Sequence, residues 1–353
     1  MTRGPSSIVA LWAGLLSCTA ETEGLQDLQV PVPVPPQSDA DPSDGWMAAP
    51  GEGTAFIVSD LVIAGRDEGF DLDGNCATDG TGCVDNGLWI LGPLANDQIR
   101  QGLLGGESLL LVELVGYKGA AAGDDSALTV KFYPAKDADD PFFPANNFKV
   151  PAGQASCCEF LVSPSGLFGA PPQALARLPA RAEGMTIRST ESVSLPIVST
   201  VDPDPIAATL ERATVEISID PATNQLRGRL GVAVPASALA KFSNPYCKTV
   251  GPRCPVAVVS SLLDLLVMLK GPRPDVDLDG DGLECILDTD GDAVIDRCCE
   301  GTTDGGCREG SCLGEVIEPG ASAGCVASPR VADGYSITIG FAAVPATIVG
   351  VAP

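Results

Sequence analysis

Ala213-Thr-Val-Glu-Ile-Ser-Ile219, then Asp220-Pro-Ala-Thr-Asn224, then Gln225-Leu-Arg-Gly-Arg-Leu-Gly-Val-Ala-Val234 read as strand, turn and strand. β-Branched residues recur at every second position, Glu216 stands between Val215 and Ile217, and the intervening five residues are turn formers. This hairpin sets the period of the chain, and similar segments lie on both sides of it. Phe56–Ile63, Ser108–Val115, Ala127–Tyr133 and Cys158–Val162 read as strands, and the Gly/Asp-rich loop 119–126 joins the second to the third as a hairpin. Met185–Thr200 has strand composition around Pro196, which belongs at an edge or a bulge. Tyr335–Phe341, with Ala346–Val349 behind it, closes the chain. Two segments have helical length: 88–104, with a break expected at Gly92-Pro93, and Val256–Leu269. An isolated last strand cannot bury its apolar face, so it is expected to return to the sheet built earlier. The expected fold is mainly β: an antiparallel sandwich, jelly-roll-like, with one or two short helices and an acidic, Cys-rich insertion at 271–330.

Composition agrees with many turns and short strands. Of 353 residues 45% are hydrophobic, so a sizeable core is available, while aromatics are only 5% and Gly (40) and Pro (30) are abundant. The net charge of −25 argues against nucleic acid and against peripheral binding to anionic lipid.

Within the insertion, Asp275-Val-Asp-Leu-Asp-Gly-Asp-Gly-Leu-Glu-Cys-Ile-Leu-Asp-Thr-Asp-Gly-Asp-Ala-Val-Ile-Asp296 places acids at alternate positions with glycines between them. Between 275 and 315 there are 13 acids and two arginines. Unpaired, these carboxylates repel; a hard divalent cation converts the repulsion into binding, and calcium takes six to eight oxygen ligands. In a D-x-D-x-D-G frame Asp277, Asp279 and Asp281 take positions 1, 3 and 5, Leu283 offers its carbonyl, and Asp288 falls at position 12. An overlapping frame sets Asp288, Asp290, Asp292 and Asp296 at positions 1, 3, 5 and 9. There Ala293 stands where Gly would supply a positive φ, at a cost of about 1 kcal/mol. An earlier acidic loop, Gly69–Asn86, the first in chain order with that of the insertion as the second, begins with Asp71, Asp73 and Asn75, and either Asp79 or Asp85 could close a ligand set. Asp85-Asn86 could instead cap the helix that follows.

The first frame of the insertion resembles the loops of dockerins, Excalibur domains and EF-hands over about a dozen residues, with Asp288 in place of the bidentate Glu and Glu284-Cys285 reversing the Excalibur order. The second resembles thrombospondin type 3 repeats. Both resemblances imply Ca2+, and Asp288 could bridge two ions.

The N-terminus reads as an export signal over 1–17: Arg3, an apolar stretch Ile8–Leu16 too short to span a bilayer, then Leu15-Leu-Ser-Cys18. That ending resembles the lipobox of bacterial lipoproteins, where the Cys is acylated. With Thr19 after it, the resemblance implies the outer membrane or cell surface of a Gram-negative bacterium. Residues 18–54 then form a lipid-anchored, Pro-rich tether, including Val30–Pro36, and 55–353 a β-rich domain. Asp71-Leu-Asp-Gly74 with Val84-Asp-Asn86, the lipobox and Asp333-Gly-Tyr-Ser336 together resemble uncharacterised secreted proteins of myxobacteria.

Thirteen cysteines less Cys18 leave twelve, an even number in a compartment that permits disulfides. Structural zinc is the rival reading, but the distal cysteines lack a C-x₂-C pair and the chain has no His. Cys76–Cys83 and Cys247–Cys254 each bracket a small loop and are expected to pair. Cys157-Cys158 and Cys298-Cys299 are neighbours, and since a bond between neighbours is strained, each is expected to bond elsewhere. The partners of Cys157, Cys158, Cys285, Cys298, Cys299, Cys307, Cys312 and Cys325 stay open.

Without His there is no Ser-His-Asp or Cys-His catalysis, and no P-loop, dinucleotide or nucleophile-elbow motif is present. Paired-carboxylate chemistry remains, with Glu113, Glu159 and Glu216 on expected strands. The expected function is a surface-anchored, calcium-binding structural or ligand-binding lipoprotein without catalysis, its ligand a protein or a glycan. The alternative is a calcium-dependent glycan-binding module or a carboxylate-based glycoside hydrolase on a β-sandwich.

Overall fold

The computed structural model describes residues 48–74, 76, 83–119, 124–140, 144–199, 206–241, 261–263, 266, 274–278, 298–299, 316–317 and 334–353. The strands are β1 (Thr54–Ile63), β2 (Leu109–Val115), β3 (Asp125–Asp137), β4 (Glu159–Val162), β5 (Leu167–Phe168), β6 (Gln173–Ala174), β7 (Ala176–Glu183), β8 (Thr186–Ser189), β9 (Val193–Ser199), β10 (Ile206–Ile219), β11 (Leu226–Pro235), β12 (Cys298–Cys299), β13 (Val316–Ile317) and β14 (Gly334–Val351). Helix α1 (Gly92–Leu104) follows a 3-10 turn at Gly87–Leu91, and α2 spans Ala236–Lys241. The protein is mainly β, consistent with a mainly-β sandwich.

The pairing runs β1–β2–β3–β7–β8–β10–β11–β14 and returns from β14 to β1, each step antiparallel. The first and last strands are therefore neighbours, and among the described residues the circuit closes on itself. β4 adds outside the circuit, parallel to the end of β14 and antiparallel to the end of β3. Among the described residues β9 pairs with β10 alone, which places Pro196 on a strand with a single partner, as suits its missing N–H.

Two apolar clusters share β1, β2, β3 and β14. The larger holds Phe56, Val58, Leu61, Ile63, Leu110, Val112, Leu114, Val130, Phe132, Ile337, Ile339 and Phe341 among others. The smaller takes the opposite side chains: Ile57, Leu109, Leu111, Tyr133, Ala135, Val344 and Ala346, covered by Phe160 and Val162 of β4. Every residue of Leu-Leu-Leu-Val-Glu-Leu-Val in β2 is buried, which explains its lack of polar alternation. In β1 the inward set changes parity from Phe56 and Val58 to Leu61 and Ile63, and the register shifts between Val58 and Asp60. That bulge keeps both halves facing the core.

The break expected at Gly92-Pro93 is where the 3-10 turn becomes α1, with Pro in the first turn of the helix. The segment 185–200 is two strands, β8 and β9, and the closing segment is one strand of 18 residues. β7, Ala-Arg-Leu-Pro-Ala-Arg-Ala-Glu, has too little β-branched character to be read as a strand in sequence. Of the expected helix 256–269, the described residues Leu262, Leu263 and Leu266 are buried in the larger core. The signal 1–17, Cys18 and the tether to residue 47 lie outside the described residues, as do Cys247, Cys254, Cys285, Cys307, Cys312 and Cys325.

Residues 48–53 already bond to the sheet. Glu113 is fully buried; its Oε1 accepts from the N–H groups of Gly51 and Gly53 at 2.8 Å each, and its Oε2 accepts from the Tyr133 hydroxyl at 2.9 Å. Lys131, directly opposite Glu113 in the register, donates from Nζ to Ala48 O at 2.7 Å. Burial pushes the Lys131 pKa down to about 8, with Glu113 opposing the shift and Arg177 adding to it.

Candidate metal centre

The first acidic loop is folded back on itself. Phe70 and Asp85 form an isolated antiparallel bridge, and Asp85 N–H donates to Phe70 O at 2.7 Å. This brings Asp85 across the loop to Asp71 and Asp73, and one carboxylate oxygen from each of the three lies within 4.8 Å of the others. Two ligands of one calcium at 2.3–2.6 Å stand at most about 5 Å apart, so the spacing suits a single ion. Gly74 makes the turn at φ +79, its N–H donating to Asp71 Oδ1 at 2.8 Å. Of the two residues that could close the set, Asp85 stands beside Asp71 and Asp73; Asp79, like Asn75, lies outside the described residues.

The start of the second acidic loop packs against the first. Asp277 N–H faces Asp73 Oδ2 at 3.4 Å. Val276 pairs with Gly334 at the start of β14, and Leu72, Val276 and Ala233 form a small buried cluster flanked by Phe70 and Leu278. Burying each aliphatic side chain there contributes about 1.5–3 kcal/mol. Gly231 lets the loop dock, because a Cβ at that position would stand 2.4 Å from Phe70 Cδ2. The Phe70 ring also carries the Arg229 guanidinium 4.9 Å from its centroid.

Two polar residues, the part-buried Asp275 and the buried Asn86, lock this arrangement. Asp275 accepts from Gly87 N–H at 2.8 Å, from Ser336 N–H at 2.7 Å and from the Ser336 hydroxyl. Burial nevertheless raises its pKa, against the pull of those donors. Asn86 does not cap the following turn with its side chain. Its Nδ2 donates to Ala64 O and Gly65 O, and its Oδ1 accepts from Thr338 N–H at 3.0 Å. The capping role expected of Asp85-Asn86 is thus replaced by a tie between β1, the acidic loop and β14, because the loop turns away before the 3-10 turn begins.

Arg212 has no counterpart in the sequence reading. The register of β10 slips between Glu211 and Thr214, and Arg212 sits in that bulge at φ +52. Its guanidinium donates to Leu72 O at 3.2 Å and Asp277 O at 2.8 Å, one carbonyl from each acidic loop. The signal in sequence is the slip of apolar parity from Leu210 to Ala213, which the residues between leave without an obvious cause.

Asp85 is 5% exposed, and its pKa is pushed up to about 8. Burial is the main cause; the Leu72 N–H at 2.6 Å opposes it, and the charges of Asp73, Asp275 and Asp71 add to it. Three carboxylates at this spacing are costly without a countercharge. The donor set is oxygen alone, with no His in the chain and with Cys76 and Cys83 bonded to each other, so a hard cation is the chemistry it suits. Of the ligands expected from the insertion, Asp277 is beside the cluster, whereas Asp279, Asp281, Leu283, Asp288, Asp290, Asp292 and Asp296 lie outside the described residues.

The carboxylates considered for catalysis are separated by role. Glu113 holds residues 48–53, and Glu159 is exposed on β4. Glu216 accepts from Arg188 at 2.8 Å and Arg229 at 3.2 Å, and the Arg188 guanidinium above all holds its pKa below the usual range. Cys157 and Cys158 are bonded to each other rather than to distant partners, since the turn entering β4 sets both sulfurs on one side, against Asn147. No described helix is long and apolar enough to cross a membrane. No known protein family, no curated protein and no solved structure matches the chain.

Proposed function

We propose that the protein is a surface-anchored, calcium-binding lipoprotein with a structural or ligand-binding role and no catalytic one. The observation that carries the reading is the convergence of Asp71, Asp73 and Asp85 within 4.8 Å, with Asp277 of the second acidic loop against Asp73. An ion held there would offset most of the charge of the three carboxylates and tie the start of the insertion to the sheet through two loops about two hundred positions apart in the chain. At external calcium concentrations even a site with Kd of order 10⁻⁴–10⁻³ M is filled, so the ion would act as a permanent staple rather than a switch. The export signal and Cys18 supply the anchor, and 19–47 the spacer. Calorimetry on protein lacking residues 1–18, titrated with Ca2+ after EDTA treatment, tests the ion. One to three ions bound with a raised melting temperature is the expected result, and absence of heat and of a melting shift overturns it. Mass spectrometry of the full chain expressed in a Gram-negative host tests the anchor: Cys18→Ser should abolish an acylated N-terminus and release the protein from the membrane fraction.

A further inference from the structure

We propose that Cys157 and Cys158 form a reversible dithiol–disulfide site, opened by a dithiol reductant and closed again by oxidation while the sheet stays folded. The pair immediately precedes and enters β4, with the Cα atoms 3.8 Å apart. Both sulfurs rest on one backbone carbonyl: Cys157 Sγ is 3.1 Å and Cys158 Sγ 3.0 Å from Asn147 O, and Asn146 O is 3.7 Å from Cys158 Sγ. The carbonyl is held in place by the turn 144–147, where Asn147 N–H donates to Pro144 O at 3.2 Å. A closed disulfide has no proton to offer that oxygen. An open pair has two S–H donors, and the acceptor is already in position for both. Reduction therefore leaves no buried thiol without a partner, which is what would otherwise make opening costly at a buried site.

Access is asymmetric. Cys158 is 5% exposed and packs in the smaller core, while Cys157 is half-buried at its rim. The reductant's thiolate attacks Cys157 Sγ, the bond between the two sulfurs breaks, and Cys158 leaves as thiolate and takes a proton. The second thiol of the reductant then displaces Cys157 from the mixed disulfide, and Cys157 takes the second proton. Two electrons and two protons pass from the dithiol to the protein, and the reductant leaves as its cyclic disulfide. The backbone at this point joins β4 to β14: Cys157 N–H donates to Pro345 O at 2.9 Å, and Thr347 N–H donates to Cys158 O at 3.0 Å. Opening the ring between the two residues releases the backbone that holds this junction, so the redox state is read out at the end of the last strand. None of this depends on calcium.

The test is differential alkylation with peptide mapping on the full chain, purified without reductant and then exposed to graded dithiothreitol. The expected result is a closed 157–158 pair that opens to two alkylatable thiols at reductant levels where the thermal melt survives, and recloses when reductant is replaced by oxidised glutathione. Amide exchange at 157, 158 and 347 should quicken in the open form. In Cys158→Ser the remaining Cys157 thiol should be alkylated about tenfold faster than the Cys158 thiol in Cys157→Ser, because only the former reaches the surface. A bond from either residue to another cysteine, or opening that occurs only with loss of the folded melt, overturns the proposal. Equal alkylation rates in the two variants overturn the order of attack.

Discussion

Replacing Asp85 with Asn keeps the shape of the side chain and its acceptor for Leu72 N–H, and removes only the charge. In the calcium-free fold the carboxyl has its pKa raised from 3.8 to about 8. At pH 7 it is therefore mostly neutral in the folded chain and ionised in the unfolded one. Over the roughly three units between the unfolded pKa and pH 7, at about 1.36 kcal/mol each, ionisation favours unfolding by at most about 4 kcal/mol. The sign follows from the raised pKa: the penalty is absent below about pH 4, grows to about pH 8, and is constant above it. Calcium-free wild type should thus lose stability across pH 4–8, and Asp85→Asn should flatten that slope. In EDTA at pH 7 the variant should melt several degrees above wild type. Calcium reverses the logic. At about 2 mM Ca2+ and a Kd of order 10⁻⁴–10⁻³ M, wild type gains about 0.6–1.8 kcal/mol, and the variant, short of a ligand charge, gains almost none. Differential scanning calorimetry of both proteins, in EDTA and in calcium, measures all four states. A variant that melts lower than wild type in EDTA, or that keeps the full calcium increment, refutes the assignment of Asp85 as both the costly carboxylate and a ligand.

Three further substitutions address the parts that hold the site and the strap. Glu113→Gln replaces the buried carboxyl that holds Gly51, Gly53 and Tyr133 and leaves Glu52 as the acid acting on Lys131, so stability should fall by about 3–5 kcal/mol and amide exchange at Gly51 and Gly53 should quicken. Unchanged exchange there would count against the latch. Arg212→Gly relieves a backbone at φ +52, worth about 1 kcal/mol, but cuts both carbonyl ties. Exchange at 275–278 should rise and calcium affinity should fall, and calorimetry showing an unchanged Kd would separate Arg212 from the site. Gly231→Ala drives a Cβ into the Phe70 ring; a loss of about 1–3 kcal/mol together with a smaller calcium increment is expected, and a neutral melt would mean that Phe70 does not need that face of β11.

How much of this is legible in the residues differs by physical cause. The period-2 alternation of 213–219 and 225–234 is local, so the β10–β11 hairpin and the mainly-β class could be read directly. β7 could not, because Pro and Ala dominate it and its place is set by Lys131 and Val130 of β3 alongside it. The proximity of Asp71 and Asp73 was readable from their spacing, since neighbours on a turning loop converge. The place of Asp85 beside them comes from the Phe70–Asp85 bridge, which is a matter of backbone pairing and not of spacing. The contact of Asp277 with Asp73 crosses two hundred positions and depends on Arg212, an arginine made special only by a bulge.

That dependence bears on why the two acidic loops stand so far apart in the chain. Had both ligand sets been placed on one continuous loop, an ion would order only that loop. Split between the exit of β1 and the entry to β14, which are themselves paired, the carboxylates and the backbone of Asp277 meet only when the circuit of strands is complete. An ion at Asp71, Asp73 and Asp85, which share one loop, gains the Asp277 contact only in the completed circuit, and so would stabilise the whole fold more than its parts by mass action. On this argument calcium should slow unfolding much more than it speeds folding, because the closing pairing of β14 comes late and its contacts are the ones the ion joins. Stopped-flow measurements in calcium and in EDTA would show it as a change confined to the unfolding limb. An equal change on the folding limb would mean that the site forms before the strands close.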